Sequence, residues 1–320
     1  MEKPYVAGID IGGQTSKLGI VDARGTVLTQ TTIRTDTHVD VNYYITDLCT
    51  ALNKIISEVG GIDKIRGIGI GAPNGNYYTG TIENAVNLVW GGNNMIPFAK
   101  LMSEKIDLPV ALTNDANAAA VGEMTYGAAR GMKNFIMITL GTGVGSGIVI
   151  NGEVVYGHDG FAGELGHTTS VRNNGRQCNC GKTGCLETYA SAIGVARTAR
   201  EWLEYTTEQS ILRNIKEAIT SKDVYEAAVQ GDEMAKKIFE YTGKKLGESF
   251  ADFVAFSAPE AIILFGGLAR AGNLILKPIE ENMNANLLHL WKNKIKIVFS
   301  QLKESDAAIL GASALAWELK

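Results

Sequence analysis

The residues with the most specific chemical spacing in this chain are one histidine and three cysteines. His167 is followed by Cys178, Cys180 and Cys185, so three of the four cysteines lie within eight residues. One imidazole and three thiolates satisfy tetrahedral Zn²⁺ and leave no coordination position for water. The spacing therefore predicts a closed, structural zinc site. The alternative is a set of buried, reduced cysteines beside a surface histidine.

Three glycine-rich turns, each directly after an apolar run, are candidates for phosphate binding. They lie at residues 10–15, 140–147 and 265–267. Backbone N–H groups at such turns can surround phosphate oxygens when no Cβ stands in the way. None has the Gly-Lys-Ser/Thr spacing of a Walker A loop. A tight hairpin explains any one of them, but the three together favour nucleotide binding.

Two aspartates stand where predicted strands end. Asp10 follows the first apolar run, where it either ligates Mg²⁺ beside phosphates or only accepts hydrogen bonds from turn amides. Asp115 follows Asn114, between a short strand and an Ala-rich segment that favours helix. It is either the N-cap of that helix, or a carboxylate held at the strand edge to orient a hydroxyl and accept its proton.

Two glutamates flank the predicted zinc site. Glu164 lies three residues before His167, and Glu187 lies two residues after Cys185. A metal-bound loop that carries carboxylates is suited to hydrogen bonding with the hydroxyls of a polyol. The alternative is that both glutamates are solvated or only support the metal ligands.

The composition limits the class of protein. A length of 320 residues with 45% hydrophobic and 20% charged residues fits two globular domains at roughly 100–200 residues each. The net charge of −4 gives no electrostatic basis for binding nucleic acid or an anionic membrane. The 37 glycines are an excess, which predicts many sites of positive φ or close backbone approach. Clustered cysteines, with no signal peptide or membrane helix, favour the cytoplasm.

The elements that must position these residues alternate between strand and helix in the first part of the chain. Helical spacing covers 41–59, and the Ala-rich segment at 116–129 favours a helix. Apolar runs predict strands at 5–11, 17–21, 25–33, 65–70 and 108–112.

The segment 135–155 repeats the order of the opening: an apolar run, a glycine turn, a strand, a second turn and a third strand. Such a repeat predicts two similar halves, and the alternative is two unrelated hairpins. The second part of the chain is otherwise more helical. It predicts helices at 186–203, 223–231, 233–257 and 307–319, and strands at 261–265 and 295–299.

Taken in order, these motifs resemble the ROK family of sugar kinases, within the hexokinase and actin-like ATPase superfamily. The resemblance spans essentially the whole chain, and its most specific part is the Cys-x-Cys-Gly-x-x-Gly-Cys-x-Glu run at 178–187. The other matching segments are 10–13, 71–73, 87–90, 114–118, 140–145 and 163–167.

The resemblance implies an α/β fold of the two-lobed actin-like ATPase (RNase H-like) class, hexokinase/ROK type, with a substrate cleft between the lobes and a zinc knuckle in the larger lobe. We expect a small N-terminal lobe at 1–116, a large lobe at 117–300, and a C-terminal helix at 301–320 that returns to the small lobe.

It also implies site residues. Asp115 matches the catalytic base, and His167 would offer one ring nitrogen to zinc and the other to the sugar. The positions implied to contact sugar are Gly71, Asn87, Asn114, Asp115, Glu164, His167 and Glu187. Those implied to contact the nucleotide are Asp10, Gly12, Gly13, Gln14, Thr15, Gly141, Thr142, Gly143, Gly145, Gly266 and Gly267. The zinc ligands are His167, Cys178, Cys180 and Cys185.

The activity implied is phosphoryl transfer from ATP with Mg²⁺ to a hexose, foremost glucose to glucose 6-phosphate, by a homodimer or larger homo-oligomer with one structural Zn²⁺. Because the transition state of such a transfer is loose, Asp115 need only align the hydroxyl and take its proton late. Two positions depart from the family pattern: Gln14 replaces the usual Thr after Gly-Gly, and Asn74 replaces the usual Gly after Gly-x-Pro. They bear on sugar preference more than on reaction type.

Three alternatives remain. An N-acetylmannosamine or N-acetylglucosamine kinase would share all these motifs. A sugar-responsive ROK transcriptional regulator without its DNA-binding module is disfavoured by the acidic composition, and by a phosphate-loop strand that begins at Tyr5. A zinc-stabilised sugar-binding protein without catalysis is disfavoured because Asp10 and Asp115 are both present.

Overall fold

The computed structural model describes residues 3–319, apart from the side chain of Glu304. A first sheet of five strands has the order β3-β2-β1-β4-β8. Its members are β1 (Tyr5–Ile11), β2 (Thr15–Asp22), β3 (Val27–Arg34), β4 (Ile65–Ala72) and β8 (Val110–Asn114). The first three pair in antiparallel fashion, whereas β4 and β8 add parallel strands. β1 and β4 are buried along almost their whole length, as strands covered on both faces are.

Four helices pack with this sheet: α1 (Val41–Glu58), α2 (Phe98–Ile106), α3 (Asp115–Tyr126) and α9 (Glu304–Ala314). Helix α9 approaches β1 so closely that a Cβ at Gly8 would overlap the carbonyl oxygen of Ile309. In the same way, Gly122 of α3 lies against Gly311 of α9. Part of the glycine excess therefore serves helix packing rather than ligand binding.

A second five-stranded sheet has the order β11-β10-β9-β12-β13. It comprises β9 (Phe135–Leu140), β10 (Val144–Ile150), β11 (Glu153–Val154), β12 (Ala261–Phe265) and β13 (Lys296–Phe299). When the five strands of each sheet are counted along the chain, both sheets have the same spatial order: third, second, first, fourth and fifth. The α/β class and the predicted repeat are thereby confirmed.

The remaining helices are α4 (Glu187–Ala190), α5 (Ala192–Tyr205), α6 (Ser221–Val229), α7 (Glu233–Ser257) and α8 (Asn273–Asn286). The single helix predicted at 186–203 is wrong. It is interrupted at Ser191, whose hydroxyl accepts a hydrogen bond from the Gly194 amide at 3.0 Å and caps α5. Helix α8 was not predicted, because Pro278 lies in its interior and breaks the helical signal.

A small three-stranded sheet, also not predicted, has the order β5-β6-β7. Its strands are β5 (Gly75–Asn76), β6 (Thr81–Glu83) and β7 (Met95–Ile96). Strands of two or three residues carry no periodicity that a sequence pattern can reveal.

The chain divides into two compact units. The first contains residues up to 132, 147–163 and those from 300 onward, and the second contains 133–146 and 164–299. Helix α3 groups with the first unit because it packs along α9, and residues 147–163 contain β11, which contacts α3. The second unit therefore holds fewer residues than the predicted large lobe, and the functional lobe boundaries stay a prediction. Among the described residues, no helix is both long and apolar enough to cross a membrane.

Candidate active site

Neighbouring strand ends bring together Asp10, the predicted Mg²⁺ ligand, and Asp115, the predicted base, in the first unit. Asp10 pairs with Gly71 between β1 and β4, and Ala72 pairs with Asn114 between β4 and β8. A Cβ at Gly71 would lie 3.5 Å from the Asp115 Cα and 4.0 Å from Asp10 Oδ1. Gly71 therefore keeps the space beside both carboxylates free of a side chain.

Asn114, and not Asp115, caps helix α3. The Asn114 backbone is extended, and its Oδ1 accepts a hydrogen bond from the Ala116 amide at 2.8 Å. Asp115 is the first helical residue, and its own Oδ1 accepts from the same amide, also at 2.8 Å. The capping interpretation of Asp115 is thus wrong, and its carboxylate is fixed by the helix start without serving as the N-cap.

Both carboxyl groups have raised pKa values. Burial, together with the negative charge of Asp115, raises the pKa of Asp10 to about 6, although Lys17 on the adjacent strand acts in the opposite direction. The Asp115 side chain reaches solvent, but the protein atoms around it partly desolvate the carboxylate and raise its pKa, against the hydrogen bond from Ala116. Paired carboxylates with little compensating charge are suited to a cation and to proton transfer.

The first glycine turn, at residues 12–15, has a fixed backbone. The Gly12 amide donates to the Thr15 carbonyl at 3.0 Å, and the Thr35 amide donates to the Gln14 carbonyl at 2.9 Å. A Cβ at Gly13 would lie 2.9 Å from the carbonyl oxygen of Asn87. The Gln14 side chain is exposed. The departure at Gln14 therefore changes a side chain on a turn whose backbone is held by its neighbours.

A buried hydroxyl cluster that the sequence reasoning missed supports this turn. Ser16 Oγ shares hydrogen bonds of 2.7 Å with Thr35 Oγ1 and with Tyr44 Oη. The Tyr44 ring stacks on Trp90, with 4.9 Å between centroids and 23° between planes. In the sequence, Tyr44 is only one position of the predicted helix at 41–59. Only the fold shows that it reaches the turn from α1.

Asn74 occupies the backbone conformation that the family's usual glycine allows. Its φ is 51°, in the left-handed region, which Asn tolerates better than most residues with a side chain. Its Nδ2 donates to the Asn84 carbonyl at 3.1 Å, and the Glu83 amide donates to the Asn74 carbonyl at 3.2 Å. This departure therefore preserves the path of the loop and adds a side-chain bond.

The second glycine turn, at residues 141–147, is built into the second unit up to Ser146. The Gly141 amide donates to the Gly143 carbonyl at 3.0 Å, and the Gly145 amide donates to Thr139 Oγ1 at 3.1 Å. A Cβ at Gly141 would meet no atom within 4 Å. Open space over a glycine turn is what a phosphate group needs in order to approach the backbone.

The third glycine turn lies against the end of β9. Gly266 has a φ of 106°, and a Cβ there would lie 2.5 Å from the Leu140 carbonyl oxygen. A cavity of about 460 Å³ opens at Gly267. Its other lining residues include Ser221, Tyr225, Phe239, Leu268 and Arg270. Apolar walls with a few polar groups are typical of a pocket for a heterocycle.

The four predicted zinc ligands converge in the second unit. Their donor atoms all lie within 4.8 Å of one another. Cys180 Sγ is 3.6 Å from Cys185 Sγ, and Cys178 Sγ is 3.7 Å from His167 Nδ1. A tetrahedral zinc with Zn–S bonds of about 2.3 Å requires sulfur atoms about 3.8 Å apart. The donor set and its spacing fit a closed zinc site.

The predicted sugar turn at 164–167 lies on the second glycine turn. The Leu165 amide donates to Ser146 Oγ at 3.0 Å, and a Cβ at Gly166 would overlap the Val144 carbonyl. Glu164 is exposed. Glu187 is half-buried, and its Oε2 accepts from the Val144 amide at 2.9 Å. This bond to the second glycine turn was not foreseen.

The predicted site residues thus form two groups, one in each unit. The first group contains Asp10, residues 12–15, Gly71, Asn87, Asn114 and Asp115, and the second contains the two other glycine turns, Glu164, Glu187 and the four zinc ligands.

The chain is similar to known proteins over nearly its whole length. A model of the ROK family matches residues 6–318. The chain is 38% identical to a glucokinase of Halalkalibacterium halodurans, over 98% of this chain and 96% of the relative. It is 33% identical to a glucokinase of Thermotoga maritima, over 98% of both chains.

A crystal structure of a ROK family glucokinase from Streptomyces griseus, in complex with glucose and AMPPNP, has the same fold. It superimposes with a TM-score of 0.80 at 33% identity, over 98% of this chain and 99% of that one. The match of the family model over nearly the whole chain and the identity to these relatives both lead to one conclusion: the chain belongs to the ROK family.

Proposed function

We propose that this protein is an ATP-dependent glucose kinase that forms glucose 6-phosphate, with Asp115 as the general base. The observation that carries the proposal is the position of Asp115, at the first residue of α3 and beside Asp10 and Gly71. Two relatives of this protein that have a similar length are glucokinases. The ROK glucokinase of similar fold was solved with glucose and a nucleotide analogue.

In this proposal the Asp115 carboxylate accepts a hydrogen bond from the reacting sugar hydroxyl and takes its proton as the oxygen attacks phosphorus. The bond from the Ala116 amide fixes the carboxylate, so that it presents an oxygen in a constant direction. The raised pKa of Asp115 brings its basicity closer to neutral pH, where a general base works best. The loose transition state makes this alignment more important than base strength.

Asp10 is the residue of the first unit that fits Mg²⁺. Its carboxylate is a hard oxygen donor. Burial and the charge of Asp115 raise its pKa to about 6 despite Lys17, so a bound cation would stabilise its ionised form. Mg²⁺ at Asp10 would supply positive charge to the ATP phosphates. The amides of the first glycine turn would bind phosphate oxygens, and the Ser16 and Tyr44 hydroxyls would keep that turn in place.

In this proposal, residues of the second unit would supply the remaining contacts. The open turn at 141–145 would bind phosphate, and the cavity beside Gly267 would take the adenosine. Glu164, Glu187 and His167 would bind sugar hydroxyls, as would Asn87 and Asn114 of the first unit. Zinc bound to His167 and the three cysteines would be structural, because four protein ligands leave no position for a reactant.

A coupled assay of ADP release tests the activity. We expect turnover with glucose, and a fall of about 10²- to 10⁴-fold in kcat for Asp115→Asn, the range of a lost general base. Asp63→Asn, on an exposed aspartate of the same unit, is the matched control and should retain wild-type turnover.

The same assay over a panel of sugars separates the candidate substrates. Preference for N-acetylmannosamine or N-acetylglucosamine over glucose would replace the proposed substrate. Wild-type turnover by Asp115→Asn would reject the assigned base. Absence of ATP consumption with every sugar would reject the kinase.

We further propose a homodimer or larger homo-oligomer. Support comes from large apolar side chains on the surface of the single chain, such as Phe256 at 91% and Tyr205 at 83% exposure. Such side chains are often covered in an assembly. Sedimentation velocity at micromolar concentration should give the mass of at least two chains, and the mass of one chain would reject this part of the proposal.

A further inference from the structure

Glu187 connects the zinc knuckle with the second glycine turn. It lies two residues after Cys185, at the start of α4. One carboxylate oxygen, Oε2, accepts a hydrogen bond from the Val144 amide at 2.9 Å. The other, Oε1, is 4.0 Å from Cys178 Sγ. The carboxylate therefore lies between a metal-ligating loop and a turn that the proposed function assigns to phosphate.

The glycine turn is shaped to receive this carboxylate. A Cβ at Gly143 would overlap Glu187 Oε2, so only glycine allows the present position of the side chain. The turn is also held at its other end, because the Ala192 amide donates to the Gly141 carbonyl at 2.9 Å. The segment 187–192 thus contacts both sides of the turn.

A bond to a backbone amide within the turn has consequences for an anion that binds there. It orients the peptide between Gly143 and Val144, which belongs to the same turn as Gly141, where a Cβ would meet no atom within 4 Å. Hydrogen bonds from backbone amides to an anion depend on the direction of each N–H group. Fixing one peptide of the turn therefore pre-organises the others.

We propose that Glu187 is a positioning residue for the nucleotide phosphates, through its bond to Val144, apart from any contact that it makes with sugar. The inference rests on the proposed function in one respect, namely that the turn at 141–147 binds phosphate. According to this proposal, the zinc knuckle has a second role, because it carries the residue that shapes the phosphate turn.

Nucleotide binding without sugar separates this role from sugar recognition. The dissociation constant of AMP-PNP with Mg²⁺ is measured by titration calorimetry for the wild type, Glu187→Ala, Glu187→Gln and Glu164→Ala. We expect Glu187→Ala to weaken binding on the order of tenfold, the effect of losing one charge-assisted hydrogen bond. Glu187→Gln retains an oxygen acceptor, so its affinity for AMP-PNP should lie between that of the wild type and that of Glu187→Ala. Glu164→Ala should bind as the wild type does.

Zinc content and folding are measured on the same samples. Because Glu187 lies close to Cys178, each variant must retain about one zinc per chain and the wild-type near-ultraviolet circular dichroism. If Glu187→Ala loses its metal or its fold, Gly143→Ala provides the second test. It displaces the carboxylate from the turn while Glu187 stays in the chain, and it should weaken AMP-PNP binding to a similar extent.

The outcomes are distinct. Unchanged AMP-PNP affinity in folded, zinc-containing Glu187→Ala, with a raised KM for glucose, would overturn the positioning role and leave Glu187 as a sugar contact. A wild type that binds AMP-PNP but phosphorylates no sugar would reject the proposed kinase and leave the positioning role standing. A wild type that binds no nucleotide at all would reject both.

Discussion

Burial, reinforced by the negative charge of Asp115, raises the pKa of Asp10 to about 6. The two residues lie on β1 and directly after β8, on either side of the gap left by Gly71. The free protein thus keeps two carboxylates in an arrangement that repels, and a cation bound beside them would relieve the repulsion. Sites of this kind trade stability for function.

The first prediction concerns the stability of Asp10→Asn. The folded-state pKa of Asp10 lies above the unfolded value of 3.8, so the wild type gains stability from protonation at low pH and loses it as the pH rises through about 6. Asparagine removes this loss. At pH 7 the variant should be more stable than the wild type by roughly 1–3 kcal/mol, although its turnover is lost.

Urea unfolding without ligands at pH 7.5 and pH 4 measures this difference. The gap between the variant and the wild type should be large at pH 7.5 and small at pH 4, where Asp10 is largely protonated. A variant less stable than the wild type at pH 7.5 would contradict the unfavourable charge at Asp10.

The second prediction concerns the pH dependence of turnover. Below about pH 6, Asp10 becomes protonated and no longer ligates a cation. Asp115, whose pKa is raised by burial, loses the ability to accept a proton at a higher pH than an ordinary carboxylate does. The value of kcat/KM should therefore fall as the pH is lowered through this range. Because Mg²⁺ competes with protons at Asp10, a higher Mg²⁺ concentration should move the fall to lower pH. Measurements of kcat/KM from pH 5 to 8.5 at two Mg²⁺ concentrations check both statements. A value of kcat/KM that stays unchanged down to pH 5 would contradict them.

The third prediction tests the hydroxyl cluster below the first glycine turn. Tyr44→Phe keeps the ring on Trp90 but removes the bond to Ser16. The loss should lower the free energy of unfolding by about 1 kcal/mol. It should also raise the KM for ATP several-fold, with less effect on the KM for glucose. Tyr43→Phe is the matched control, because Tyr43 is adjacent in sequence and 74% exposed. Equal behaviour of the two variants would show that the Tyr44 hydroxyl does not support the turn.

Local sequence motifs predicted more of the candidate site than of the fold around it. The glycine turns and the metal ligands could be predicted because each motif reflects the geometry of a short stretch of chain. The structure places these residues in a metal site and in turns at strand ends. The long-range bonds were not readable. Tyr44 reaches the first turn from a helix, and Glu187 reaches Val144 across 43 residues. Neither residue type nor spacing encodes such a contact.

Elements were missed for other physical reasons. Helix α8 was missed because it contains Pro278, and proline disfavours a helix interior. Packing against α7 stabilises the helix nevertheless. Asp115 was assigned as a possible cap because aspartate and asparagine have nearly equal preferences for that position. Only the extended backbone of Asn114 shows which of the two begins the helix.

The fourth prediction concerns the metal. One zinc per chain should be found by elemental analysis, held by His167, Cys178, Cys180 and Cys185. Cys180→Ser removes one ligand on the exposed side of the knuckle, and should lower both the zinc content and the melting temperature. Cys49→Ser, at the cysteine outside the cluster, should retain full zinc content. A metal-free wild type with an unchanged melting temperature would contradict a structural role for zinc.

The last prediction tests whether Asn74 is a conformational substitute for glycine. At a φ of 51°, glycine is free of strain, asparagine tolerates the conformation, and alanine is strained by roughly 1 kcal/mol. Asn74→Gly removes the bond from Nδ2 to the Asn84 carbonyl but keeps the backbone path, so the KM for glucose should change less than twofold. Asn74→Ala loses the same bond and adds strain, so it should be the less stable variant and should raise the KM for glucose. Thermal unfolding and steady-state kinetics of both variants measure the difference. If Asn74→Gly instead changes sugar preference as strongly as Asn74→Ala does, then the amide side chain, and not the left-handed backbone, defines the sugar-side loop.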